Sequence, residues 1–482
     1  MSGYSVFLPG NEYIPDGEPR VFNNRLYLYG SHDRFNGDKF CLNDYVLWSA
    51  PIDDLSDWKC HGVIYKKIQD PNNKDGKMSM YAPDCVQGID GRYYLYYCLS
   101  DLSVVSVAVC DKPDGKFEFY GFLKDQDGNL LGQREDDFVA FDPALLVDDD
   151  KRIWLYLGNG PIEFLKDNKK NKASVVMELE DDMLTLISES VPLIPTIENS
   201  KGTSFENHEF FEASSIRKFN GKYYFIYSSI NIHELCYAIS DYPNKNFIYQ
   251  GVLVSNGDVR QEYQIKSNFR SKADKRVLNY MGNNHGSLAY INNNYYIFFH
   301  RHTSRNMFSR QACAEKIEML EDGTFIQASL TSCGLSLSPL KGKGRYEARI
   351  ACHLLSKDGA LFGVHPMIQN KNHPAFTQEG ADQDKKALQY IENMRDGATA
   401  GFRYFEFEGN ESKISIKIRA SNEGYFLIKD AIDGKEIGRI PIKKSKDFTN
   451  FSGYLKVETT TSSLYFTYMG EGYADFLEFT IE

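Results

Sequence analysis

Five ionisable residues occupy the same place in five copies of one local pattern. Asp16, Asp84, Asp142, Glu212 and His285 each lie six to eight residues ahead of a tight turn, the turns beginning near positions 23, 90, 149, 220 and 293. Four carboxyl groups and an imidazole brought to one place would repel, and at least one carboxyl would keep its proton above the usual range. Two carboxyls in opposite protonation states, flanking a labile bond, are what hydrolysis of an acetal requires. Binding a cation or capping strand ends is the other use of such a set.

A repeat positions these residues. Each copy runs apolar strand, polar turn, aromatic-rich strand, at 20–29, 86–97, 145–156, 216–227 and 288–299. Asp90-Gly91 and Asn220-Gly221, set between apolar runs, signal hairpins because these residues accept positive φ. A third strand follows each hairpin, at 45–51, 105–110, 173–179, 235–240 and 311–317. A fourth is legible in three copies, at 58–64, 117–123 and 247–253. Four strands per unit and five units predict a five-bladed β-propeller over residues 1–335. In a propeller the innermost strands begin around the axis at one face, so the five side chains should share one cavity. The pattern ends near residue 335, and Leu340-Lys341-Gly342-Lys343-Gly344 reads as a linker. Beyond it, alternating strands at 413–419, 424–428 and 463–468, with an Asp433-Gly434 turn, predict a β-sandwich over 336–482. The fold class is all-β.

Composition agrees. The 482 residues are 42% hydrophobic and 25% charged, which is globular rather than disordered. Aromatic residues reach 14%, suiting half-buried pleated surfaces and, more weakly, stacking on sugars. A net charge of −11 disfavours nucleic acid as a partner. The segment 1–9 carries no basic region with an apolar run, and no stretch of about 18 apolar residues occurs, so the expectation is a cytoplasmic protein without a membrane partner. Nine scattered cysteines without a Cys-x-x-Cys pair read as buried free thiols in a reducing compartment.

The residues around the five slots carry a resemblance. Asp16 with Val21-Phe22, Tyr81-Ala82-Pro83-Asp84, Phe141-Asp142-Pro143, Phe211-Glu212-Ala213-Ser214 and Asn284-His285-Gly286 resemble the blade motifs of glycoside hydrolase family 43. The resemblance implies an inverting mechanism. Asp16 would be the general base, Glu212 the general acid, and Asp142 the residue that tunes and orients the acid, with base and acid ~6.5–9.5 Å apart. The usual Ala-Asp-Pro around the base is here Pro15-Asp16-Gly17-Glu18-Pro19, which leaves Glu18 as an alternative base. Tyr81 stands where relatives often carry Trp and would wall the sugar pocket. Arg310 matches an arginine that contacts substrate hydroxyls. Asp84 and His285 would face the same cavity, and His32 and Arg301 would line its rim. His285 would also ligate a calcium ion on the axis, and no organic cofactor is implied.

The C-terminal region resembles a family 6-like carbohydrate-binding module through segments 394–402 and 470–477. There Glu379 and Asp475 are candidate ligands for a structural calcium ion. The implied activity is exo-acting release of a terminal pentose from plant oligosaccharides, as an α-L-arabinofuranosidase or β-xylosidase. An endo-arabinanase using the same carboxylates, and a catalytically silent sugar-binding propeller, are the alternatives.

Overall fold

The computed structural model describes residues 3–134, 137–160, 171–263, 275–360, 371–409 and 411–482. Between Glu18 and Ile326 the chain forms five four-stranded antiparallel sheets, each built from four consecutive strands. The innermost strands are Glu18–Phe22, Met80–Gln87, Ala144–Val147, Phe210–Phe219 and Leu288–Ile291. All five blades have the fourth strand, including two that the sequence left unread. Val191–Pro195 completes the third blade and Phe325–Ile326 the fifth. The first of these carries two prolines and the second is two residues long, so neither shows an alternating pattern.

The hairpins between first and second strands follow from turn chemistry. Asn23 and Asn24 (φ 49° and 61°), Asn220 and Gly221 (50° and 76°), and Asn292 and Asn293 (48° and 61°) place both central residues at positive φ. That is the two-residue turn whose twist matches the flanking strands.

One apolar cluster fills each gap between neighbouring blades. Tyrosines on the second strands also cross these gaps. The hydroxyls of Tyr29, Tyr96, Tyr156 and Tyr224 donate to the carbonyls of Pro113, Met183, Pro243 and Gly323, at 2.6, 2.7, 2.8 and 3.0 Å. Each acceptor lies in the outer turn of the next blade. Much of the aromatic excess is therefore architectural rather than sugar-binding. The ring closes where Gly17 bridges Gly286 and where the N-terminal segment wedges between the first and last blades. There Phe7, Leu8 and Ile14 pack with Leu28 and Phe298, and the Ala314 N–H donates to the Ser5 carbonyl.

From Leu340 to Ile481, twelve strands form one continuous sheet. It curls until distant strands meet: Phe466 and Phe476, on strands far apart in the sheet order, have ring centroids 5.3 Å apart over a shared core. The segment read as a linker belongs to this sheet. Leu340–Lys341 pairs in parallel with Thr399–Glu406, and Gly344–Glu347 pairs with Ala474–Ile481. Backbone pairing there needs no apolar pattern, which is why two glycines and two lysines concealed it. Among the described residues no helix is long and apolar enough to cross a membrane.

The curled domain packs on the propeller through buried polar contacts. The Asp258 carboxylate meets His353 Nε2 at 2.7 Å, and the Arg349 guanidinium donates to the carbonyls of Val6 and Leu8. The Tyr13 hydroxyl donates to Gln378 at 2.7 Å.

Candidate active site

The backbone turns abruptly where the inner strands begin. Asp16 and Asp142 sit at φ 56° and 47°, and Ala82 and Ala213, beside Asp84 and Glu212, sit at 30° and 66°. The pairing register also slips on either side of Glu212 and between Tyr81 and Asp84. Bulges and left-handed residues re-aim side chains, and Asp tolerates this region better than most residues. Such strain persists only when the surroundings impose it, and it clusters at functional sites.

Three guanidiniums then sort the carboxylates. Arg310, 2% exposed, donates from Nη1 to Asp16 Oδ1 at 2.9 Å and grips Asp33 through Nε and Nη2 at 2.9 and 3.1 Å. Arg217 holds Glu18 at 2.6 Å. Arg20 holds both oxygens of Asp84, at 2.9 and 2.5 Å, and Asp84 also accepts the Leu145 N–H at 2.8 Å. Asp142 and Glu212 have no cationic partner of this kind among the described residues. Asp142 accepts only the Ala213 N–H, at 2.8 Å, with His285 Nδ1 3.8 Å away.

Protonation follows from this sorting. Burial, reinforced by the negative charges of Glu212 and Asp16, holds the Asp142 carboxyl well above the usual range. Burial and the charge on Asp16 push Glu212 up to about 7, with Arg310 pulling the other way. The axis thus holds a carboxylate clamped by a guanidinium and a carboxyl that keeps its proton near neutrality. That is the pairing of base and acid that acetal hydrolysis needs.

The structure brings Asp16, Asp142, Glu212 and His285 together around the axis. Glu18 lies there too, with Oε2 on Arg217 and Ser215 and Oε1 3.9 Å from His285 Nε2. Glu18 and Asp16 each have a guanidinium on one oxygen, Arg217 and Arg310 respectively. Burial keeps His285 below the usual imidazole range, hence neutral. His300 completes the setting of Asp16. Its Nε2–H donates to the Asn283 carbonyl at 2.9 Å, and its Nδ1 accepts the Asp16 N–H at 3.3 Å.

Other sequence-predicted residues lie further from the free carboxyls. Tyr81 is half-buried, with its ring edge-on to Phe141 at 5.8 Å. His32 is buried and donates from Nδ1 to the Asp44 carbonyl. Both oxygens of Asp84 are committed to Arg20 and Leu145, beneath the cavity. Arg301 points toward the C-terminal domain, donating to the Arg349 carbonyl at 2.8 Å and to Gln311 at 2.9 Å. The structure corrects the candidate calcium site of the C-terminal domain. The Arg419 guanidinium sits between Glu379 and Asp475, with Nε 2.7 Å from Asp475, so the positive charge there comes from the chain itself.

Sequence reasoning missed Arg20 and Arg217. Arg217 lies on the inner strand that carries Glu212 and Arg20 on the inner strand that follows Asp16, and charged residues so placed were the available signal. It also missed His208, Glu234 and Cys236, whose ligand atoms lie within 4.8 Å of one another. There burial raises Glu234, but His208 and neighbouring donors outweigh it and bring it to about 2. The His208–Glu234 contact is 2.6 Å and His208 stacks on Tyr249, so the cluster reads as a buried ion pair.

Comparison with known proteins agrees with this geometry. The model of glycosyl hydrolases family 43 matches residues 15–325. A xylosidase/arabinosidase of Thermoclostridium stercorarium is 49% identical over 479 residues, 99% of this chain and 98% of that protein. In fold, the chain is similar to an arabinoxylan arabinofuranohydrolase of Bacillus subtilis solved with cellotetraose, at TM-score 0.51 and 18% identity, over 99% of this chain and 97% of that one. It is also similar to a β-xylosidase/α-arabinofuranosidase from a compost metagenome, solved with xylotriose in a calcium-free form. That match has TM-score 0.50 and 22% identity, over 68% of this chain and 99% of that one. A five-bladed propeller with its carboxyls sorted at the axis, and relatives matched over its whole length, make this chain a member of glycosyl hydrolases family 43.

Proposed function

We propose that the protein is an inverting exo-glycosidase that releases terminal α-L-arabinofuranose or β-D-xylose from arabinoxylan or arabinan oligosaccharides. The observation that carries this reading is the unequal pairing of the axial carboxyls: Asp16 has Arg310, and Glu212 has no such partner. Glu212 donates its proton to the glycosidic oxygen as the bond to the anomeric carbon breaks. Asp16 takes a proton from the water that attacks the opposite face of the ring. Asp142, which accepts the Ala213 N–H next to Glu212, helps to orient the acid. The similar hydroxyl geometry of the two pentoses makes dual activity part of the reading.

A calcium ion on the axis belongs to the same proposal. Glu18 Oε1 is buried without a hydrogen-bond partner among the described residues, and it faces the neutral His285 ring. A hard oxygen and an imidazole suit a largely hydrated calcium ion, which would supply fixed positive charge beneath the substrate. Residues 1–335 are read as the catalytic part and 336–482 as an accessory module similar to family 6 carbohydrate-binding modules. Tyr454 and Tyr473 are exposed there as possible stacking surfaces. A reducing, cytoplasmic site of action fits nine cysteines that all carry free thiols.

The test is hydrolysis of para-nitrophenyl α-L-arabinofuranoside and β-D-xylopyranoside, with and without a chelator. Turnover of either is expected, and loss with chelator would support the axial ion. Turnover of neither, with cleavage inside longer arabinan chains, would favour an endo-acting enzyme. No cleavage of any glycoside would leave a sugar-binding propeller.

A further inference from the structure

A second cavity lies between the fifth blade and the C-terminal domain. On a largely apolar wall it carries Arg301, Arg305, His302, His373, Tyr280 and Asn256, and among the described residues no Asp or Glu side chain lines it. In a chain of net charge −11, a wall with two arginines and no carboxylate is unusual. Arg305 pairs with Glu392 at 2.7 Å. Arg301 has no carboxylate partner among the described residues. It donates to two neutral oxygens and lies over the Phe376 ring at 3.8 Å, which offsets only part of the cost of burying its charge.

The unused hydrogen-bonding groups in this wall form a definite set. Arg301 Nε, the Tyr280 hydroxyl, His302 Nδ1, His373 Nε2 and Asn256 Oδ1 are all buried and have no hydrogen-bond partner among the described residues. His302 and His373 are each 3% exposed. Their roles follow from the bonds their rings already make. His302 Nε2 donates to the Asn283 carbonyl at 2.9 Å and His373 Nδ1 to the Pro374 carbonyl at 2.6 Å, so the free nitrogens are acceptors. Burial keeps both rings neutral by lowering them to about 4. Asn256 Nδ2 donates to the Asn283 carbonyl at 2.8 Å, so its oxygen faces the cavity as a third acceptor.

Two donors beside an uncompensated guanidinium suit a carboxylate. Three acceptors suit hydroxyl groups. The cavity measures about 50 Å³, room for a handful of non-hydrogen atoms at roughly 10–15 Å³ for each water-sized group. We propose that this cavity is a binding site for a small hydroxycarboxylate of the size of glycolate. Its carboxylate lies against Arg301 and Tyr280, and its hydroxyl donates to a histidine or to Asn256. None of the axial carboxyls lines the site, which does not depend on which glycoside they cleave.

The test is calorimetric titration of the full-length protein with glycolate and lactate, using acetate and ethylene glycol as matched controls. Acetate lacks the hydroxyl, and ethylene glycol lacks the charge. The expected result is one saturable site per chain, with a hydroxy acid binding at least tenfold more tightly than either control. Tyr280→Phe, which removes only one hydroxyl, should weaken that binding about tenfold and leave pentoside hydrolysis unchanged. His373→Gln provides a second variant should the first misfold. Glu212→Gln should bind the hydroxy acid as the parent does. Absence of saturable binding, the result if ordered water alone fills the cavity, would overturn the proposal. So would equal binding of ethylene glycol, unchanged affinity in both wall variants, or loss of binding in Glu212→Gln.

Discussion

Glu212 carries two opposed demands. As a proton donor it must remain protonated, and burial beside Asp16 achieves this by raising it to about 7. Glu212→Gln should therefore lower kcat by about 10²–10⁴-fold, the usual contribution of a positioned acid. In the parent, kcat/KM should fall as pH rises through about 7, because the acid is then lost. Stability should change in the same direction. The folded protein keeps this proton up to about 7, whereas the unfolded chain releases it near 4.5, so ionising Glu212 costs the folded state stability as pH climbs between those values. Glu212→Gln should then melt higher than the parent at pH 8 and much like it at pH 4. A variant that melts no higher than the parent at pH 8 would show that Glu212 is not held protonated. Asp16→Asn should also abolish turnover while leaving the fold intact.

At the scale of elements, the loop after the second strand of the first blade connects the C-terminal domain to the catalytic carboxyls. Asp382 accepts the Phe35 N–H at 2.6 Å and Asn43 Nδ2 at 3.0 Å. The same Asn43 nitrogen donates to the Asp33 carbonyl, and the Asp33 side chain grips Arg310, which holds Asp16. Asp382→Ala removes two hydrogen bonds worth about 1 kcal/mol each. It should lower kcat more than it changes KM, with Asp382→Asn recovering part of the loss. Equal kcat in the alanine variant would show that the loop holds its shape without the second domain. The tyrosine clasps between blades act at the same scale. Tyr156→Phe keeps the packing and loses the bond to Pro243, so a destabilisation of about 1 kcal/mol is expected from denaturant melting.

At the scale of the whole molecule, the two domains are joined by ionisable groups away from water. Asp258 meets His353 at 2.7 Å, with Arg403 and Arg260 at 3.6 and 3.8 Å. Removing one partner of such a cluster leaves buried charge, so Asp258→Ala should cost about 3–5 kcal/mol in thermal or denaturant unfolding. Glu315, beneath Thr331 near the same junction, is raised to about 8 by burial. Its proton is retained in the folded state and lost in the unfolded chain between about 4.5 and 8, so stability falls with pH across that window. Glu315→Gln should flatten this fall. An unchanged slope would place the alkaline sensitivity elsewhere.

The five-fold repeat and the five slot residues were legible in the chain itself, because hairpin turns and alternating strands are local and leave a periodic record. Asp16, Asp142, Glu212 and His285 could be placed on one axis from spacing alone. The pairing of those carboxyls was not legible. Arg20 reaches Asp84 across 64 positions, Arg217 reaches Glu18 across 199, and Arg310 reaches Asp16 across 294. No periodic signal spans such distances, and each pair forms only when the ring closes. The same holds for Arg419 between Glu379 and Asp475, and for the cavity that the C-terminal sheet closes over Arg301. Sequence determined which groups the protein carries to its axis. Tertiary structure decided which of them are neutralised and which keep their protons, because burial and the nearness of opposite charge are properties of the closed ring alone.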